Sequence, residues 1–161
     1  MSTTVQRAIL CLIICATTAC VPMLLAAEPP APPPAPVPNQ ILGAQKVFIS
    51  NGGEDGWLDY DPKHDPNLTY NEFWLDMKSW GKYELVSSPA DADVVFEIHL
   101  LLLDRSPQLR LLILDPKSHI TLWALNQIPS VASRDATARK NFDKALNALV
   151  TTLQGLVAKG K

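Results

Sequence analysis

The chain has 161 residues, of which 47% are hydrophobic and 19% charged, and its net charge of −2 comes from interspersed acids and bases. That length supports one domain with a tail, not two. A nucleic-acid binder carries a basic stripe, and this sequence has none, so that partner class is set aside.

In chain order, the first seven residues hold one basic side chain, Arg7, and no further charge appears before Glu28. The apolar stretch 8–27 ends in small residues. That is the layout of a secretory signal cleaved after Ala26 or Ala27, which is the favoured reading. An uncleaved membrane anchor is the second reading: twenty uncharged residues can span a bilayer, although Pro22 and the Thr17-Thr18 pair make a poor span. Lipidation at Cys20 is the third, since Ala19 precedes the cysteine, but Thr17 stands where a bacterial lipobox usually has Leu. Arg7 ahead of the apolar run keeps the N-terminus inside in each case. The rest of the chain is therefore expected outside, in the periplasm or on the outer face of the membrane, with or without an anchor. All three cysteines (Cys11, Cys15, Cys20) lie in this leader, so the remainder has no disulfides to use and must rely on its core.

Residues 28–44 form a spacer whose stretch 29–38 reads PPAPPPAPVP. Proline lacks an N–H and fixes φ, so this run cannot enter helix or sheet ladders. Extended polyproline II at roughly 3 Å per residue gives a stalk of roughly 30 Å.

The folded domain is expected over 45–161. Lys46-Val-Phe-Ile-Ser50 suits a buried strand, ended by a turn at Asn51-Gly52-Gly53. After a polar loop, Thr69-Tyr-Asn-Glu72 matches a capping box that opens a helix. Tyr70, Phe73, Trp74, Met77 and Trp80 recur there at helical spacing, and Gly81 fits the left-handed position past its end. Tyr83–Val86 reads as a second strand, closing a βαβ unit with a parallel default. Val94–Leu103, Leu109–Asp115 and Ile120–Gln127 read as three more strands. Their short connections imply an antiparallel meander. Ala136–Ala158 is a long helix with Phe142, Leu146, Leu149 and Leu153 on one side. The expected fold is α/β (α+β): one mixed sheet of about five strands with two helices on one face, in the order β-α-β-β-β-β-α.

Three segments together, Lys46–Ser50, Tyr83–Val95 and Leu109–Ala124, resemble a group of small bacterial envelope domains. The group includes the amino-terminal domain of TolB and CsgG-like lipoprotein domains. Its strand running into an aspartate-led turn and returning with a hydrophobic-Trp pair is matched by Asp115 and Leu122-Trp123. The resemblance implies an envelope role in assembly or protein contact and brings no catalytic residue with it.

Two constellations are candidate sites. The loop 54–65 holds five acids and a histidine, and Asp55, Asp59, Asp61 and Asp65 could offer hard oxygen ligands to Ca²⁺. The spacing departs from an EF-hand, so a solvated loop is favoured. Glu97 and His99 lie two apart on one strand and share a face. With helices on one side only, that face opposes the core; polar residues on a wet sheet face are the favoured reading, and a protein contact surface that Arg110 and Trp123 join is the sharper alternative. No nucleophile has a base and an orienting partner at recognisable spacing. The expected function is thus a non-catalytic, exported domain that binds an envelope protein or a second copy of itself, without a cofactor. A small metal-dependent hydrolase using the acidic loop is the alternative.

Overall fold

A computed structural model describes residues 35–54, 65–103, 106–131 and 135–158. The element order is α1 (Asn39–Gly43), β1 (Lys46–Glu54), α2 (Leu68–Trp80), β2 (Glu84–Leu85), a 3₁₀ turn (Pro89–Asp91), β3 (Val94–Leu103), β4 (Ser106–Leu114), β5 (Thr121–Gln127) and α3 (Asp135–Ala158). The strands form one mixed sheet in the order β2-β1-β3-β4-β5. β1 runs parallel to both β2 and β3, whereas β3, β4 and β5 make the antiparallel meander. The α+β class, the five strands and the two long helices agree with the sequence reading; α1 is an addition to it.

The core follows from strand alternation. On β3 the residues Val94, Phe96, Ile98 and Leu100 are buried, and each is at most 1% exposed. They meet Val47 and Ile49 of β1 and Leu109, Leu111 and Ile113 of β4 in one cluster. Phe73 and Met77 of α2 and Phe142, Leu146, Leu149 and Leu153 of α3 complete it, so both long helices cover the same side of the sheet. Each such side chain, fully buried, contributes roughly 1.5 to 3 kcal/mol of transfer free energy.

Several local expectations are corrected. Thr69 does not open α2. The helix starts one residue earlier, and the Thr69 N–H donates to the Glu54 carboxylate at 2.8 Å. Thr69 itself is buried with its hydroxyl unpartnered among the described residues. A distant acid therefore supplies what a local capping box would have supplied. Asn51-Gly52-Gly53 is not a turn but an irregularity inside β1, where the register with β3 shifts between Asn51 and Glu54 and Gly53 adopts φ 95°. Glycine tolerates that left-handed conformation, and the extra residue is absorbed as a bulge. Gly81 does take the expected left-handed position, φ 67°, with its N–H on the Met77 carbonyl.

The ordered fold also begins before Gln45. Ile41 of α1 is 1% exposed and belongs to the core. The Gln40 amide donates to the Asp93 carbonyl at 3.0 Å and to Asp115 Oδ1 at 2.9 Å. One side chain thus ties α1 to the start of β3 and to the β4–β5 turn.

Candidate functional site

Because the helices share one side, the register of the strands defines the other. Cross-strand partners lie on a common face. Phe48, Val95 and Leu114 form one row; Ser50, Glu97, Leu112 and Ala124 form the next; His99, Arg110 and Asn126 form a third. Phe48, Leu112 and Leu114 are half-buried, and Val95 is 6% exposed yet lies outside the helix-side cluster. The face is apolar at one end and polar at the other.

At its centre His99 Nε2 donates to Glu97 Oε1 at 2.8 Å. A carboxylate only accepts, so this bond places a proton on Nε2. The two side chains are 18% and 27% exposed, which leaves both reachable from solvent. The imidazole lies directly over Gly52 of β1: a Cβ there would come closer than 3.0 Å to Cε1, Nδ1 and Nε2 of the ring. Glycine at 52 is therefore what lets His99 lie flat on the sheet, and the bulge in β1 is what puts it there. The sequence offered Gly52-Gly53 as a turn signal and concealed this second use.

The structure brings Glu97, His99 and Arg110 together on the face opposite the two long helices, with His99 opposite Arg110 in the register. It does not bring Trp123 to them. Trp123 pairs with the buried Ile113 and packs against the helix-side core. The reason is a register shift on β5: Ile113 faces Trp123 but Leu114 faces Thr121, which leaves Leu122 as the extra residue. Strict alternation counted back from Gln127 would have shown Trp123 sharing the side of Leu125, which is buried.

Of the four acids considered for Ca²⁺, Asp55, Asp59 and Asp61 lie outside the described residues, as does Cys20. Asp65 accepts from the Asn67 N–H and from the Asn71 side chain. Those bonds make it the anchor of the approach to α2. Among the described residues no three metal-ligating side chains converge, and no serine or cysteine is hydrogen-bonded to a histidine.

A second polar cluster was missed by sequence reasoning. A recess of about 600 Å³ at one end of the sheet is lined by Gln40, Ala44, Asp93, Asp115 and Lys117, among others. Its carboxylates are already committed. Asp93 Oδ2 accepts from the Gln45 and Lys46 N–H groups, both at 2.9 Å, and these bonds hold its pKa below the ordinary carboxylate value. Asp115 takes the Ser118 hydroxyl, the Gln40 amide and the Ser118 N–H, and is held down to about 2. A base with so low a pKa abstracts protons poorly near neutrality. Gln40 spans the recess and clasps α1 to both carboxylate-bearing strand ends.

No protein-family model and no curated protein matches the sequence. Solved structures resemble it at low identity. A PelC dodecamer from Paraburkholderia phytofirmans aligns at 12% identity and TM-score 0.45, covering 74% of this chain and 94% of that one. Protein XCC0632 from Xanthomonas campestris aligns at 14% identity and TM-score 0.44, covering 73% and 86%. A putative neuraminyllactose-binding hemagglutinin homolog from Helicobacter pylori aligns at 12% identity and TM-score 0.43, covering 79% and 88%. At these scores the function is read from the chain's own surfaces.

Proposed function

We propose that this chain is a non-catalytic binding domain of the bacterial cell envelope, which contacts another protein through the sheet face that its helices leave uncovered. The observation that carries the reading is the one-sided core. Both long helices pack on the Phe96 side, while Phe48, Val95, Leu112 and Leu114 line the other side next to Glu97, His99 and Arg110. An apolar patch rimmed by a few polar groups is the composition of a protein contact surface. The leader at 1–27 and the resemblance of Lys46–Ser50, Tyr83–Val95 and Leu109–Ala124 to envelope domains support the location outside the membrane.

The test is cross-linking of the chain in its native envelope, followed by recovery of its adducts. Glu97→Lys and Leu112→Asp alter the face without touching the helix-side core, so each should abolish the main adduct while leaving thermal unfolding within a few degrees of wild type. An unchanged adduct set in both variants would remove this face from consideration.

A further inference from the structure

The two edges of the sheet are treated differently. At one edge β2 is two residues long, carries Glu84 and follows Lys82. Short length and charge are the usual ways of keeping a strand edge from pairing with another chain. At the other edge β5 reads Thr121-Leu-Trp-Ala-Leu-Asn-Gln127, seven residues with no charge and no proline. Among the described residues its one neighbour in the sheet is β4. Among the described residues, no backbone hydrogen bond reaches the outer edge of Thr121–Gln127 from elsewhere. Thr121, Ala124 and Asn126 are exposed, and so are Ile120 and Ile128 just beyond the strand ends, at 63% and 67%.

We propose that β5 is a self-pairing edge: two copies of this chain join antiparallel through β5 and continue the sheet across a two-fold axis. The bulge at Leu122 confines regular backbone to Trp123–Gln127, whose midpoint is Leu125. An antiparallel pair centred there sets Leu125 against its own copy, Ala124 against the second copy's Asn126, and Trp123 against its Gln127. No like charges meet, because the strand has none. Leu125 and Trp123 stay on the helix side, while Ala124 and Asn126 meet on the uncovered face. A two-fold axis makes every such contact occur twice, so one compatible edge suffices for a closed dimer. An unrelated extended peptide would also satisfy the free backbone groups. The self-matched, uncharged sequence favours the second copy.

The proposal is separable from the contact face argued above: Ala124 and Asn126 are cross-strand neighbours of Leu112 and Arg110 on that face, but only pairing across the edge sets Ala124 opposite the second copy's Asn126, so the charge swap tells the two apart. It is tested by sedimentation of the full chain in non-ionic detergent, which keeps the apolar stretch 8–27 from driving association. The wild type should show a concentration-dependent dimer. Ala124→Lys with Asn126→Lys places lysines opposite each other twice and should weaken dimerisation by at least about tenfold, a difference of about 1.4 kcal/mol. Ala124→Lys with Asn126→Glu places opposite charges across the same axis and should restore it. Thermal unfolding of all three at high dilution should coincide. A wild type that stays monomeric throughout would overturn the proposal. So would a Lys/Lys variant that dimerises like wild type, or a Lys/Glu variant as weak as Lys/Lys. Loss of the dimer in Glu97→Lys but not in Lys/Lys would transfer self-association to the uncovered face and overturn the edge proposal alone.

Discussion

Gly52 is the residue whose side chain, by being absent, shapes the uncovered face. The imidazole of His99 occupies the space a Cβ would need. Gly52→Ala must therefore displace the ring or the bulge, and overpacking of this kind costs about 1 to 3 kcal/mol. Denaturant unfolding should show that loss, and the His99 ring resonances should shift as the bond to Glu97 breaks; an unshifted ring would disprove the stacking. Asp115 illustrates the opposite case, an exposed side chain held by many donors. Its pKa lies near 2, chiefly through the Ser118 hydroxyl, against an ordinary value of 3.8. A depressed carboxylate favours folding above its unfolded pKa and loses that contribution as pH falls through its folded one. The stability gap between wild type and Asp115→Asn should thus be flat above about pH 5 and close progressively toward about pH 2. A gap unaffected by pH in urea titrations would count against the bonds drawn here.

At the scale of elements, α2 and α3 pack through apolar residues but carry an unbalanced charge cluster at their exposed margin. Arg139 of α3 is bonded to Glu72 of α2 and to Asp143. Asp76 of α2 shares this margin, and its pKa is raised by burial and by Asp143. A raised acid opposes folding at pH values above its folded pKa and stops doing so as it is protonated on acidification. Asp76→Asn should accordingly stabilise the fold at neutral pH by no more than about 1 kcal/mol, since the group is only partly buried, and raise the melting temperature, with the gain vanishing in acid. A variant that melts lower than wild type at pH 7 would mean that Asp76 makes a favourable contact. The helix ends teach a related lesson. Gly81 was legible because a left-handed terminus is a local property of one residue. The start of α2 was not, because the Thr69 N–H is met by Glu54 from the end of β1.

At the largest scale, the decisive asymmetry among the described residues is that one layer of helices covers one side of a sheet. This leaves a face and an edge, and each has a distinct proposed use. The boundary of the fold belongs to this scale as well. Ile41 fills the core and Gln40 ties two ends of the sheet, although both sit in a stretch that reads as the end of a proline-rich spacer. A chain beginning at residue 45 should be less stable than one beginning at residue 35 by about 2 to 5 kcal/mol, the usual cost of emptying a large aliphatic site. Equal unfolding midpoints would place α1 outside the cooperative unit.

By itself the sequence determined the class, the order of the long elements and most of their core positions. Those depend on periodicity two or 3.6 and on turn chemistry within a few neighbours. The bounds of Val94–Leu103 were legible in its apolar run, but alternation holds only in its middle: Val95 is buried and Leu102 is 38% exposed. What only the tertiary structure decided was every feature resting on distant partners. Among these are the acid that meets the start of α2 and the bulge that turns Asn51-Gly52-Gly53 from a loop into a seat for His99. A bulge moves all later side chains to the other face by inserting a single residue, and the glycines that mark one locally mark a turn equally well. The uncovered face was expected from Glu97 and His99. Its composition, and the open edge beside it, followed from how the strands were paired.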